Sequence, residues 1–262
     1  MSTAPIEALP QERQQAILAL LREHGRVVAA DLAERFGVSE DSIRRDLREL
    51  AARGLCQRVY GGALKPSASP RALAARRELD SDAKRALAAA AAGLVQPGQV
   101  LLIDAGSTNA CIAAALPEGR SLTVLTNAPD IAGLLLVREG IEVVLIGGRL
   151  DPQTGATVGA QALEQVQRVR ADLCFPGACA IDTDGTLWAN NAEEAVFKRA
   201  MVQASTETVV VATADKLAAH ATHQVAAAAA VSRLVTGADA PTALLRRLRA
   251  SGIEILKVPI GR

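Results

Sequence analysis

Two periods of hydrophobic residues run along this chain of 262 residues, and the change from one to the other divides it. In the first part the period is helical. Ile17, Leu18, Leu20 and Leu21 predict a helix over residues 11–24, Leu32, Ala33 and Phe36 a shorter one over 31–36, and Ile43, Leu47 and Leu50 a third over 39–54. Gly37, Val38 and Ser39 make a tight turn into the third helix. Ser39 is a good N-cap because its hydroxyl can accept a bond from an orphan backbone N–H. Glu40 and Asp41 suit the positive end of the helix dipole, and Gly54 supplies the stop. Arg44, Arg45 and Arg48 stand across the helix from its apolar face. Residues 55–63 alternate apolar and polar before a glycine pair, as a short hairpin does. Three helices, a tight turn and a hairpin make a winged helix-turn-helix whose third helix is placed to meet phosphates or base edges.

From residue 100 the pattern changes to short apolar strands separated by helices. Strands are predicted at 100–104, 122–126, 141–146, 171–175, 208–212 and 233–236, with a further one at 254–258, and several are apolar on consecutive residues, as strands covered on both faces are. Helices fit at 108–116, 129–138, 161–166, 191–204 and 241–250, and an Ala- and Leu-rich helix at 71–93 precedes them. This alternation predicts an α/β, Rossmann-like domain with an open, mostly parallel sheet. Between the two parts, Pro66, Ser67, Ser69 and Pro70 read as a short stiff linker. The expected division is a DNA-binding domain over 1–65, a linker over 66–70 and an α/β domain over 71–262, and residues 1–10 carry no usable pattern.

Ligands of open parallel sheets sit beyond the carboxyl ends of the strands. There, Asp104, Ala105, Gly106, Ser107, Thr108 and Asn109 follow the first strand and open a helix. Backbone N–H groups and two hydroxyls could face an anion at that turn, although a Gly-Ser turn equally serves as a plain helix cap. Thr126 and Asn127 after the second strand, and Gly147, Gly148 and Arg149 after the third, gather at the same end. Glu194 and Lys198 share a helix face, a spacing that an exposed ion pair explains as well as a ligand contact does.

Composition narrows the classes. Aromatic residues make up 2% of the chain, which argues against a stacking surface for single-stranded nucleic acid, and a net charge of +1 indicates neither a polybasic membrane binder nor an acidic tail. Glu40, Asp41, Asp46 and Glu49 offset much of the arginine charge near the third helix, so DNA affinity is expected from placement and dimerisation rather than from a broad basic field. No signal-like or membrane-spanning run is present, so a cytoplasmic protein without membrane contact is expected. Cys56, Cys111, Cys174 and Cys179 lack metal-ligand spacing, and His24, His220 and His223 are scattered, so neither metal nor cofactor is expected.

The stretches I-L-A-L-L-R-E-H-G-R-V, D-L-A-E-R-F-G-V-S, S-I-R-R-D-L-R-E-L and Y-G-G-A resemble the DNA-binding domain of DeoR-type bacterial transcriptional regulators. The D-x-G-S-T loop, the T-N pair, the I-G-G, the segment E-E-A-V-F-K-R-A-M and the A-D-K at Lys216 resemble, in order, the effector domain of the same family, which is related to sugar-phosphate isomerases. Asn109, Pro176, Cys179 and Thr213 depart from the family pattern. The resemblance implies a regulator, most simply a repressor of sugar-metabolism genes, that binds a double-stranded DNA operator and a phosphorylated sugar and acts as a homo-oligomer, dimer or tetramer. It implies DNA contacts from Ser39, Ser42, Arg44, Arg45, Arg48 and Arg58. Effector contacts are expected from Asp104, Gly106, Ser107, Thr108, Asn109, Thr126, Asn127, Gly147, Gly148, Glu194, Lys198 and Lys216. The rival reading is a sugar-phosphate isomerase-like enzyme in the same pocket, with Asp104, Asp182, Asp184, Glu194 and Lys198 available for proton transfer, but it leaves the N-terminal domain unexplained. A protein-binding module lacks a matching apolar surface signature.

Overall fold

The computed structural model describes residues 10–53, 55–64 and 81–260. The linker at 66–70, the first half of the helix expected at 71–93 and the stop at Gly54 lie outside the described residues.

The N-terminal unit runs α1 (Pro10–His24), β1 (Arg26–Val28), α2 (Ala29–Phe36), α3 (Glu40–Ala52), β2 (Gln57–Val59) and β3 (Gly62–Leu64). Pro10 takes the first helical position, where a missing N–H costs nothing. Ile17, Leu21, Leu32, Ile43, Leu47 and Leu50 close one small core, so the apolar faces read from the sequence meet as expected. The wing is a three-stranded antiparallel sheet in the order β1-β3-β2. Strand β1 adds to the hairpin expected from the sequence, since three residues between two helices give no period to read. Gly62 lies so close to β1 that a Cβ there would stand 2.1 Å from the Val27 carbonyl oxygen.

The second unit begins with α4 (Ser81–Ala92) and continues β4 (Val100–Ile103), α5 (Ser107–Ala115), β5 (Leu122–Thr126), α6 (Pro129–Leu135) and β6 (Ile141–Leu145). A hairpin of β7 (Arg149–Asp151) and β8 (Ala156–Val158) leads to α7 (Ala160–Gln167) and β9 (Ala171–Phe175). Then come β10 (Ala180–Ile181), β11 (Leu187–Ala189), α8 (Ala192–Gln203), β12 (Ser205–Ala212), β13 (His223–Ala226), β14 (Arg233–Gly237), α9 (Thr242–Ala250) and β15 (Glu254–Val258). Seven parallel strands form one sheet in the order β15-β14-β12-β9-β4-β5-β6. Leu101 and Ile103 pack beneath α4, α5 and α6 while Leu102 between them packs toward α7 and α8, so consecutive apolar residues do serve two covered faces. Strands β10, β11 and β13 form a small antiparallel sheet packed over α9 on the second face. That sheet and the β7–β8 hairpin are additions to the expected alternation.

Candidate DNA interface and effector site

Helix α3 is fixed at its N-terminus and from beneath. Ser39 is extended, at φ −66° and ψ 151°, and its hydroxyl accepts from the Ser42 N–H at 3.3 Å, the expected N-cap. Beneath the helix, Asp46 is buried, where its carboxylate takes Arg13 Nε at 2.5 Å and Gln14 Nε2 at 3.3 Å. Gln14 also donates to Glu49 at 2.7 Å. The structure therefore corrects the charge balance read from the sequence: Asp46 is spent inside the domain and does not oppose the arginines of the outer face. Those arginines differ. Arg44 is held by Glu40 at 2.7 Å and Asp41 at 3.4 Å. Arg45 and Arg48 are exposed, and among the described residues no carboxylate meets them. Arg58 is exposed on β2, and Tyr60 at the wing tip projects fully into solvent.

The second site follows from the sheet order. From β4 the chain winds outward through β5 and β6, then resumes on the other side of β4 with β9 and continues to β12. The crevice between the carboxyl ends of β4 and β9 is thus the switch point at which open α/β sheets bind ligands. Asp104 stands in that crevice, 2% exposed, its Oδ2 accepting from the Gly177 N–H at 2.8 Å and lying 3.6 Å from Lys198 Nζ. Lys198 reaches in from α8, with Glu194 Oε1 at 3.4 Å and Cys179 Sγ at 3.5 Å. Burial alone works against its ammonium, but the Cys179 sulfur and the carboxylates of Asp104 and Glu194 outweigh that and hold Lys198 above the usual lysine range. Asn191 caps α8, accepting from the N–H groups of Glu193 and Glu194, and so sets the position of Glu194.

Gly106 opens α5 at φ 146° and ψ 153°, a conformation all but restricted to glycine, and the space a Cβ would enter is open. Among the described residues no protein acceptor meets the backbone N–H groups of Gly106, Ser107, Thr108 or Asn109. These donors lie at the positive end of a helix, beside the Asp104–Lys198 cluster.

Other predicted residues are present at this rim but are engaged elsewhere. The Asn109 side chain donates to the carbonyls of Asp104 at 2.9 Å and Phe175 at 2.8 Å, tying β4 to β9. Asn127 accepts from the Ala105 N–H at 3.1 Å and donates to Thr157 at 3.4 Å, and the Thr126 hydroxyl accepts from the Ala128 N–H. Gly147 is bracketed by Gln165, which accepts from its N–H at 3.0 Å, and Gly148 lies against β8, where a Cβ would stand 2.8 Å from the Val158 oxygen. These residues shape the crevice. Lys216 lies on the same rim, after β12, paired with Asp215 at 3.3 Å. Sequence reading missed Gly177, where a Cβ would stand 2.7 Å from Asp104 Oδ2; a glycine two residues past a buried strand was the available signal. A cleft of about 380 Å³ lined by Gln167, Arg168, Arg170 and Gln203 lies at the opposite, amino-end edge of the sheet and holds none of the predicted residues.

The four cysteines are free thiols, buried at Cys56 and Cys174 and half-buried at Cys111 and Cys179. Among the described residues no helix is long and apolar enough to cross a membrane.

Residues 13–68 match the DeoR-like helix-turn-helix domain and residues 79–238 the DeoR C terminal sensor domain. The chain is 32% identical to a putative aga operon transcriptional repressor of Escherichia coli O157:H7, over 94% of this chain and 93% of that protein. It is 31% identical to the glycerol-3-phosphate regulon repressor of Escherichia coli K12, over 93% and 97%. It is 32% identical to the HTH-type transcriptional regulator GlpR of Haloferax volcanii, over 95% and 98%.

Proposed function

This chain belongs to the DeoR family of transcriptional regulators, and on that premise we propose that it is a repressor of sugar-metabolism genes whose hold on operator DNA is set by a phosphorylated sugar bound in the β4–β9 crevice. Relatives named as repressors match it over nearly their whole length, so the isomerase reading is set aside.

The observation that carries the proposal is the buried cluster of Lys198, Asp104 and Glu194 beside the unengaged N–H groups of Gly106 to Asn109. With both carboxylates and the ammonium ionised the cluster bears one net negative charge, which repels phosphate and suits the hydroxyls of a polyol. The opposite holds one helix turn away, where the donors at the start of α5 suit an anion. The two ends of a sugar phosphate are thereby told apart. Lys216 on the same rim is a second candidate partner for the phosphate. Operator contact falls to Arg45, Arg48 and Arg44 of α3, with Ser39, Ser42 and Arg58 on flanking phosphates, and the protein works in the cytoplasm as a homodimer or larger even assembly on paired half-sites.

Thermal unfolding of the full chain against a panel of phosphorylated sugars tests the crevice. A true effector at a hundredfold excess over its dissociation constant should add about 2.7 kcal/mol to stability, and the unphosphorylated sugar should add far less. Equal shifts from both, or none from any phosphorylated sugar, would remove the phosphate from the account.

A further inference from the structure

The outer edge of the large sheet at β6 is built differently from the opposite edge at β15. Gly140 offers its carbonyl to Leu122, and the Ile146 N–H donates to Thr126, so alternation turns the backbone groups of Ile141, Val143 and Leu145 away from β5. Among the described residues no strand pairs with them. Proteins blunt such edges with charge or proline. At β15 this is done: its exposed positions are Glu254 and Lys257, and Pro259 follows directly. At β6 one charge, Glu142, stands exposed near the start of the strand beside the Thr123 hydroxyl, but the other exposed positions are Val144 and Leu145, with Leu150 exposed on β7 and Leu134, Leu136 and Val137 at the end of α6. Leu136 and Val137 are 76% and 84% exposed, and the other four are each close to half exposed.

By strand alternation Leu145 lies on the α6 face of the sheet and Val144 on the other, so apolar side chains flank the edge on both faces; together the six expose on the order of 600 Å², most of the roughly 800 Å² per partner that a standard interface covers. We propose that the β6 edge, clasped by Leu134 and Val137, is where a second copy of this chain docks, β6 against β6 about a two-fold axis. A two-fold perpendicular to the strands makes this pairing antiparallel, satisfies the outward N–H and carbonyl groups of both copies, and joins two seven-stranded sheets into one. The same axis supplies the pair of recognition helices that paired half-sites require. The inference therefore rests on the dimeric part of the proposed function and adds its location.

Light scattering of the full chain tests it, comparing the parent with a Val144→Lys, Leu145→Lys variant whose charges would face their own copies across the axis. The parent should run at an even multiple of 27.2 kDa and the variant at half the parent's mass, with a dimer dissociation constant raised at least a hundredfold and unfolding still cooperative. A folded variant that keeps the parent's mass overturns this surface and leaves the dimeric reading intact. A parent that stays at 27.2 kDa at every concentration overturns both, while DNA binding and effector response judge the repressor reading separately. Should the variant not fold, hydrogen exchange on the parent decides. The amides of Ile141, Val143 and Leu145 should be protected when concentrated and exchange quickly on dilution, whereas concentration-independent exchange counts against the proposal.

Discussion

Arg44 and Arg45 are neighbours of identical chemistry, yet their surroundings separate them. Arg44 must give up Glu40 and Asp41 before it can serve DNA, whereas Arg45 arrives unengaged. Arg45→Ala should therefore cost on the order of 1–3 kcal/mol of operator affinity, and Arg44→Ala clearly less, in titrations at one fixed salt concentration. Equal losses would mean that the exposed pairs on Arg44 are too weak to matter. Lys198 presents the opposite case, a charge that cannot leave. Lys198→Met would strand Asp104 and Glu194 in a buried site and should lower stability by about 3–5 kcal/mol in chemical denaturation. Because the folded protein holds this lysine above its ordinary value, its contribution is complete below about pH 10.4, the unfolded value, and declines only as pH rises through the folded value. Between about pH 6 and pH 9 the parent's stability should show no step traceable to this residue.

At the scale of elements, α3 depends on its cap and on the Arg13–Asp46 pair that binds it to α1. Ser39→Ala should cost about 1 kcal/mol of stability. Asp46→Asn should cost about 3 kcal/mol and carry DNA affinity down with it, while Arg45→Ala lowers affinity at unchanged stability; thermal unfolding beside DNA titration separates the two. Asp46 also shows what a sequence can and cannot disclose. Its place on the apolar face of α3, between Ile43 and Leu47, was open to view, but its partner lies 33 residues earlier, and no local pattern names it. Asn109 and Asn127 are similar: both lie at the carboxyl end of the sheet, as their places after strands suggest, but the carbonyls their amides meet, on Phe175 and Thr157, are 66 and 30 residues away in the chain, and no local pattern names them. The long strands and helices were legible because each carries several apolar residues in register. Strands β1, β7, β8, β10 and β11, of two or three residues each, offered no such period.

For the whole molecule, the proposed function requires that a sugar phosphate in the β4–β9 crevice alter the grip of α3 on DNA. The turn after β12 supplies a contact between the two. Ala218, two residues beyond Lys216, presents its carbonyl oxygen to Gly25 of the winged domain, so closely that a Cβ on Gly25 would stand 2.6 Å from it. A ligand that draws on Lys216 acts on a turn already touching the DNA-binding unit, and a tenfold change in operator affinity requires only about 1.4 kcal/mol of differential binding between two arrangements. Gly106 is the place to break this link, since its backbone conformation is all but restricted to glycine and a side chain there forces the turn that presents the α5 donors to shift. The most direct measurement is the affinity of the full chain for DNA selected from a random pool, with and without the phosphorylated sugar that stabilises it, in the parent and in Gly106→Val. The parent's affinity should change at least tenfold on adding the sugar phosphate, and the variant should bind the same DNA with no change on addition. A variant that responds as the parent does would place the phosphate elsewhere and contradict the account.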